Sequence, residues 1–354
     1  MLPASLSERL LAWYREHGRR DLPWQHPDDP YSVWVSEIML QQTQVQAVIP
    51  YFEKFMALFP DVHALAAADV DEVLHIWSGL GYYARARNLH RAACMVVDDH
   101  GGRLPETLEA LMALPGIGRS TAAAILALSR GERHAILDGN VRRVLCRYHA
   151  IEGWPGASSV ARRLWAIAEA HTPGDDVAAY TQAIMDLGAT VCTRSQPRCD
   201  ECPLNSDCLA LAEGREGQLP HPKPRKATPI RETLFVIVRD PRGRVLLERR
   251  PPAGVWGGLW SFPECPPGTD VAAWCRKHLG IAVTSVRELE GMRHTFSHFR
   301  LDIRPVLAGV DARVAAEAVE DDADRQWYTR DGGGRLGLAA PVTRLLDELK
   351  SLVD

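Results

Sequence analysis

The chain has 354 residues, a length that predicts two domains. Hydrophobic residues make up 46% and charged residues 24%, a composition typical of a globular protein. This composition excludes a largely disordered or fibrous chain. The sequence also has no apolar run of about 18 residues and no secretory signal at its start, so neither a membrane span nor export is predicted. The formal net charge of −4, from 41 basic and 45 acidic side chains, taken alone argues against a nucleic-acid partner.

The periodicity of apolar residues changes once along the chain. Up to about residue 210 it is typical of successive amphipathic helices. The stretch 219–229, LPHPKPRKATP, contains four prolines and is predicted to be an extended linker. Alternating strand patterns then begin with TLFVIVR at 233–239, and helical patterns return at 271–279 and 341–352. The sequence therefore predicts an all-α domain at 1–218, a linker at 219–229 and a smaller α+β domain at 230–354.

Glu37 is the one carboxylate in an apolar helical segment, VWVSEIMLQQT at 33–43. Its neighbours four residues away are Val33 and Gln41, so no ion pair along the helix is available to it. A carboxylate between apolar neighbours tends to have a raised pKa, which suits a general acid. The alternative for this segment is a helix turn that faces solvent.

A glycine turn joins two predicted helices at 114–125, LPGIGRSTAAAI, within a helix-hairpin-helix pattern at about 108–130. Gly116 and Gly118 allow a tight turn, and their N–H groups with the positive end of the next helix form an anion site. Such a pattern holds a DNA phosphate without reading sequence. Asp138 follows in ILDGNVRRV, where it is either a helix N-cap or a carboxylate held ready for a cation.

Four of the eight cysteines are grouped with the spacing x6, x2 and x5: Cys192, Cys199, Cys202 and Cys208. Only one pair has the short spacing of a zinc knuckle, so a 4Fe-4S cluster is favoured, with structural zinc as the alternative. A cytosolic setting disfavours disulfides. The loop between the first two cysteines contains Arg194 and Arg198 and no acid, which suits phosphate contact, although both arginines could simply be solvated.

Together these segments resemble the endonuclease III superfamily of helix-hairpin-helix DNA glycosylases and, within it, the MutY family of adenine glycosylases, over nearly the full length. The matching segments are LPWQHPDDPYSVWVSEIMLQQTQV, WSGLGYYARARNLH, LPGIGRSTAAAI, ILDGNVRRVL, MDLGATVCTR, WGGLWSFPE and RHTFSHF. The resemblance implies a 4Fe-4S cluster and excision of a flipped adenine mispaired with 8-oxoguanine or guanine in duplex DNA. Relatives that also nick DNA have a lysine nucleophile after the hairpin. Ser120 stands there in this chain, so a monofunctional hydrolase is implied.

The resemblance also implies a role for individual residues. Glu37 would protonate adenine N7, and Asp138 would stabilise the oxocarbenium-like sugar. The implied adenine pocket contains Trp24, Gln25 and Gln182. The implied DNA contacts are Gln42 and Tyr82 as wedges with help from Leu40, together with Gly116, Gly118, Ser120, Asn140, Arg143, Arg194 and Arg198.

The second domain is similar to Nudix enzymes, which hydrolyse oxidised nucleotides. Their metal-binding helix needs a pair of glutamates and an Arg-Glu step, and the sequence after Gly258, LWSFPECPPGTDVAAWCRKHLG, lacks both. No pyrophosphatase activity and no Mg²⁺ site are therefore predicted. By resemblance, Phe296, Ser297 and His298 reach 8-oxoguanine. Considered without the family, this turn is the end of a core strand with an exposed serine and histidine.

Two other functions remain open on the sequence alone: an endonuclease III-type pyrimidine glycosylase and lyase, and a non-catalytic iron–sulfur DNA-binding protein. The net charge becomes less informative once the positions of the arginines are considered, because they are grouped near the motifs. The groups are Arg85, Arg87 and Arg91; Arg119; Arg142, Arg143 and Arg147; and Arg194 with Arg198. We expect a monomeric, cytoplasmic bacterial protein that is associated with the nucleoid and whose DNA binding weakens with salt.

Overall fold

The computed structural model describes residues 5–25, 29–224, 228–252, 254–296, 298–311, 324–329 and 336–351. The chain forms two compact units. The first contains residues 1–67 and 88–225, and the second contains residues 68–87 and 226–354. The segment 68–87 was expected in the helical domain but packs with the C-terminal residues instead. None of the described helices has the length and apolar character needed to cross a membrane.

The N-terminal two-thirds of the chain is helical. Its helices are α1 (Leu6–His17), α2 (Pro30–Leu40), α3 (Val45–Leu58), α4 (Val62–Ala67), α5 (Val70–Ile76), α6 (Ala84–His100), α7 (Leu108–Ala113), α8 (Arg119–Arg130), α9 (Gly139–Tyr148), α10 (Ser158–His171), α11 (Val177–Asp186) and α12 (Leu209–Ala212). A π-helical turn, Leu187–Val191, extends α11, and short 3-10 turns occupy Cys199–Glu201 and Asn205–Asp207. Of these, α5 and the first turn of α6 belong to the second unit.

Local sequence explains where several helices begin. Ser5 and Glu8 form a capping box at α1, in which each side chain accepts a hydrogen bond from the other residue's backbone N–H. At α2, the carboxylate of Asp29 caps the first turn and Pro30 occupies the first helical position, where its missing N–H costs nothing.

Helix α8 is the centre of the first unit. Its residues from Ala122 to Ala127 are all buried, and it packs against both α2 and α11. The small alanine side chains let these helices approach closely. As a result, α2 with Glu37 and α11 with Gln182 pack against the same helix.

The second unit is built on a mixed sheet with helices. Its strands are β1 (Ile230–Arg239), β2 (Val245–Arg249), β3 (Trp260–Ser261), β4 (Glu264–Cys265), β5 (Val283–Glu288), β6 (Met292–Thr295), β7 (Arg300–Val310) and β8 (Arg325–Tyr328), and its C-terminal helices are α13 (Val271–His278) and α14 (Ala340–Ser351). Strands β1 and β7 pair in parallel over their length, and the path of the sheet is β3-β2-β1-β7-β5. The predicted fold class, an all-α domain followed by a smaller α+β domain, is confirmed.

The segment 68–87 is tied to this sheet by specific contacts. The Asp71 carboxylate accepts hydrogen bonds from Arg249 Nη2 at 2.7 Å and from Trp260 Nε1 at 3.3 Å. The Tyr83 hydroxyl donates to the Leu338 carbonyl at 3.4 Å. Strands β2 and β3 therefore hold part of the N-terminal sequence.

Candidate active site

Glu37 lies in the last turns of α2, among buried neighbours on both sides in the sequence. The residue is only partly exposed, and none of the described residues donates a hydrogen bond to its carboxylate. Burial raises the pKa of Glu37 to about 8, and the negative charge of Asp138 adds to this rise. At neutral pH the side chain is therefore mostly protonated, the state that a general acid needs.

Asp138 is the N-cap of α9, and its Oδ1 accepts a hydrogen bond from the Val141 N–H at 2.7 Å. Burial raises the pKa of this carboxyl, while the Val141 hydrogen bond and the charges of Arg143 and Arg142 oppose the rise. The predicted N-cap is therefore present, and the role of a carboxylate held ready for a cation stays a prediction. Asp138 caps the helix and is a partly buried carboxylate, at a position where the helix dipole favours its ionised form.

The loop before Asp138 is fixed by the helix of the hairpin. The Ser120 hydroxyl, in the first turn of α8, accepts a hydrogen bond from the Leu137 N–H at 2.9 Å. Leu137 itself is 1% exposed and belongs to the hydrophobic core. Ser120 therefore positions the backbone next to Asp138, in addition to lacking the amine that a lyase would need.

A pocket of about 270 Å³ lies beside α2 and α11, with room for one nucleobase. Trp24, Gln25 and Gln182, which were expected around an adenine, line it together with Val33 and Ser36 of α2. The indole of Trp24 is held edge-on against Phe52, with 5.3 Å between ring centroids. Ser36 precedes Glu37 directly, so the helix that carries the candidate acid also forms one wall of the pocket.

The hairpin, residues 114–118, leads into α8 with Gly118 as the N-cap. Gly116 has a φ of +82°, and a Cβ there would lie 2.9 Å from the Cβ of Asn88, so this position needs glycine. No side chain caps the N-terminus of α8. The side-chain amide of Gln41 donates to the Gly116 carbonyl at 3.4 Å, which links the end of α2 to the hairpin.

Gln42 and Tyr82, the two expected wedge residues, both have left-handed backbone conformations, with φ of 59° and 51°. Such a conformation is uncommon outside glycine and is frequent at functional sites. Gln42 is exposed just beyond α2, and Leu40 is partly buried at its last position. Tyr82 is 50% exposed, although its ring contacts the guanidinium of Arg85.

The four grouped cysteines, Cys192, Cys199, Cys202 and Cys208, line one pocket. Apolar side chains such as Val144, Leu187 and Leu204 form much of the remaining wall. Burial raises the pKa of the Cys202 thiol to about 11, and the other three cysteines contribute to this rise. Among the described residues no group of His, Cys, Asp or Glu is arranged to hold a single metal ion.

Two arginines of α9 bind the cysteine loop from inside. The buried Arg147 donates to the carbonyls of Leu219, Thr193 and Arg194 at 2.7–3.0 Å, and to Cys192 Sγ at 3.3 Å. This role for Arg147 was not predicted, because its partners lie 45 or more residues away in the sequence.

Arg143 and Arg198, both expected against DNA, have partners within the protein. Arg143 donates to the carbonyls of Cys192 and Gly188 and to Asn140 Oδ1 at 2.6–2.7 Å. Arg198 pairs with Glu201 at 2.7 Å, an acid just outside the loop that the sequence suggested was purely basic. Arg194 is exposed at the surface.

In the second unit, the Phe296 N–H donates a hydrogen bond to the Phe299 carbonyl at 2.9 Å. The Phe296 ring stacks on Phe299, with 4.5 Å between centroids, and contacts Trp256 at 5.2 Å. His298 is exposed and packs against Phe299. Ser297, the third residue expected at 8-oxoguanine, lies outside the described residues.

Comparisons with known proteins agree with this architecture. The family model described as HhH-GPD superfamily base excision DNA repair protein matches residues 35–170, and the NUDIX domain model matches residues 234–348. A structure of a thermostable thymine-DNA glycosylase matches 58% of this chain and 95% of its own with a TM-score of 0.54 and 29% identity. A non-covalent endonuclease III–DNA complex matches 59% and 94% with a TM-score of 0.51 and 20% identity, which shows a shared fold.

The similarity in sequence extends over both units. An adenine DNA glycosylase of Buchnera aphidicola subsp. Acyrthosiphon pisum is 36% identical over 344 residues, which cover 97% of each chain. A match of this extent includes the helical and the sheet-containing unit alike. The chain therefore belongs to the adenine DNA glycosylase family.

Proposed function

We propose that the protein is a monofunctional glycosylase that hydrolyses the N-glycosidic bond of adenine in duplex DNA, opposite 8-oxoguanine or guanine. One observation carries the proposal: a carboxylic acid that stays protonated at neutral pH, Glu37, lies within electrostatic reach of Asp138, a partly buried carboxylate at a helix N-terminus. A pocket of nucleobase size adjoins the helix of the acid. This pairing of an acid with a carboxylate is the arrangement that glycoside hydrolysis uses.

In the mechanism we infer, Glu37 donates its proton to N7 of the flipped adenine. The bond from C1′ to N9 then breaks, and its electron pair leaves with the base. Asp138 stabilises the positive charge that develops on the sugar, and water adds at C1′ with loss of a proton to the Glu37 carboxylate. Burial keeps on Glu37 the proton that its step requires, and the Val141 N–H with the charges of Arg143 and Arg142 favours the ionised form of Asp138.

Strand cleavage by a lyase reaction is an alternative that this chain does not support. A lyase requires an amine that forms a Schiff base with C1′. The corresponding position holds Ser120, whose hydroxyl is engaged by the Leu137 N–H. Hydrolysis without strand cleavage is therefore the expected reaction.

For the interface with DNA, we propose that the hairpin glycines and the uncapped start of α8 bind a backbone phosphate. Gln42 and Tyr82, assisted by Leu40, contact the duplex near the lesion. Arg194 is the better candidate for a phosphate contact in the cysteine loop, because Arg198 is paired with Glu201. Arg143 Nη2 donates a hydrogen bond to Asn140 Oδ1, so these two atoms are not available to DNA. We propose that both side chains contribute by holding the cysteine loop.

We propose that Cys192, Cys199, Cys202 and Cys208 hold one 4Fe-4S cluster. Four thiols around one partly apolar pocket, with an arginine N–H directed at a sulfur, form a donor set that suits such a cluster. The cluster would cross-link the loop and thereby fix the backbone that carries Arg194. Brown protein with about four irons per chain is expected, and colourless protein loaded with zinc would contradict the assignment.

We propose that the second unit recognises the oxidised base through the turn at 296–298. The aromatic contacts of Phe296 with Phe299 and Trp256 support this role, because they hold the Phe296 ring close to the exposed His298. In the full-length chain, Phe296→Ala and His298→Ala should reduce the preference for 8-oxoguanine over guanine opposite the adenine. Unchanged preference in both variants would refute the assigned role. We place the protein in the cytoplasm as a monomer.

The experiment that tests the main proposal is base release from matched duplexes. Adenine opposite 8-oxoguanine and opposite guanine should be excised, whereas thymine opposite 8-oxoguanine should not. Abasic product that resists strand cleavage until alkali is added distinguishes the hydrolase from a lyase. Binding without any base release would instead favour a non-catalytic DNA-binding protein.

A further inference from the structure

Asp186, at the end of α11, is a buried acid with no role in the chemistry above. It is 1% exposed and accepts hydrogen bonds from three groups of Arg19. The guanidinium Nη2 and Nε lie 2.6 and 3.0 Å from its Oδ1, and the Arg19 backbone N–H lies 2.8 Å from its Oδ2. A carboxylate removed from water in this way needs such pairing, and the arrangement is correspondingly rigid.

A fourth donor reaches Asp186 from the adenine pocket. Gln182, one turn earlier on α11, donates from its Nε2 to Asp186 Oδ1 at 2.8 Å. An ionised carboxylate only accepts hydrogen bonds, so the amide NH₂ of Gln182, and not its oxygen, must face Asp186. The amide oxygen is thereby directed away from Asp186, and none of the described residues donates a hydrogen bond to it. Gln182 is 8% exposed and lines the pocket.

Gln25, the other glutamine of the pocket, provides a contrast. Its Nε2 donates to the Arg19 carbonyl at 2.8 Å, and its Oε1 accepts from the Leu22 N–H at 3.1 Å. Both ends of this amide are therefore bound to the backbone. Gln25 forms a wall of the pocket, whereas Gln182 keeps an acceptor.

We propose that Asp186 is a positioning residue that fixes the amide oxygen of Gln182 as a hydrogen-bond acceptor for the exocyclic amine of a purine. The inference rests on the proposed function, because it names how that pocket selects its base. Adenine carries an amine at position 6, whereas guanine and hypoxanthine carry an oxygen there. A fixed acceptor attracts the first and repels the other two.

Single-turnover excision from two duplexes tests the proposal. One duplex contains adenine opposite 8-oxoguanine, and the other contains purine without the 6-amino group in the same place. In Asp186→Asn the carboxylate is replaced by an amide that also donates, so Gln182 loses its fixed orientation. The adenine rate should fall about tenfold while the purine rate changes less than twofold. Asp176→Asn, at the exposed start of α11, is the matched control and should leave both rates unchanged.

A double-mutant cycle separates positioning from packing. Gln182→Leu should itself lower the ratio of adenine to purine rates, and adding Asp186→Asn to it should lower that ratio no further. A ratio unchanged by Gln182→Leu overturns the proposal even if Asp186→Asn does not fold. Equal losses on both substrates in Asp186→Asn also overturn it, because they indicate packing alone. Wild-type protein that releases no adenine would instead refute the proposed function.

Discussion

We predict that Glu37 destabilises the folded protein at neutral and alkaline pH, because the burial that keeps its carboxyl protonated for catalysis also disfavours its ionised form. Its pKa is raised from 4.5 to about 8 by burial and by the charge of Asp138. The native state therefore holds a proton that the unfolded chain has lost at neutral pH. The contribution of protonated Glu37 to the free energy of unfolding is fully present below about pH 4.5 and is lost as the pH rises toward 8.

The size of this cost follows from the pKa. A tenfold change in a protonation constant corresponds to about 1.4 kcal/mol, so ionised Glu37 costs the folded protein roughly 4 to 5 kcal/mol above pH 8. At pH 7 the cost is roughly 3 kcal/mol. These are upper values, since rearrangement and water reduce the burial of a partly exposed side chain.

Glu37→Gln removes the ionisation and keeps the shape. We expect the variant to be more stable than the wild type by several kcal/mol at pH 9 and equally stable at pH 4.5, in urea unfolding followed by fluorescence. Excision by the wild type should fall tenfold for each pH unit above about 8, and the variant should excise nothing. Glu53→Gln, on the exposed side of α3, is the control. Equal stability of Glu37→Gln and the wild type at pH 9 would refute the burial argument.

Three further predictions concern the neighbours of this acid. Asp138→Asn keeps a good N-cap, so its unfolding free energy at pH 7 should be equal or higher while single-turnover excision falls by about a thousandfold or more; a less stable but active variant would contradict this. Ser120→Ala leaves the buried Leu137 N–H without its acceptor and should cost about 1–3 kcal/mol in urea unfolding, with slower excision; unchanged values in both assays would show that the bond is unimportant. Arg147→Lys cannot bridge the same carbonyls, so loss of the visible cluster absorption on chelation should be faster, and equal rates would exclude the proposed support of the loop.

The two candidate carboxyl groups of the site could be singled out from local sequence patterns. Glu37 was recognisable because no ion-pair partner exists on its own helix. Asp138 was recognisable by its position before a helix, although the pattern presented capping and catalysis as alternatives. In the fold Asp138 is the N-cap, and a helix N-terminus also favours the negative charge that its proposed catalytic role requires.

Residues that act through distant partners could not be assigned in this way. Asp186 stands in the segment MDLGATVCTR, but its partner Arg19 lies 167 residues away in the sequence. Likewise, the arginine groups near the motifs suggested a footprint on DNA, whereas Arg143 and Arg147 are directed inward to the cysteine loop. Charge counts along a sequence do not show which guanidinium groups are already bonded.

The segment 68–87 has a consequence for how the chain is made. It belongs to the same unit as residues 226–354, so about 140 residues of the first unit separate its two parts in the sequence. At a synthesis rate of roughly 5–20 residues per second, this segment leaves the ribosome roughly 7–30 s before its partner strands exist. During that interval Leu74 and Trp77, both buried in the finished protein, are without the C-terminal residues of their own unit. Chaperones that bind nascent apolar segments should therefore find their target here, and shortening the chain at the linker would leave that target permanently open.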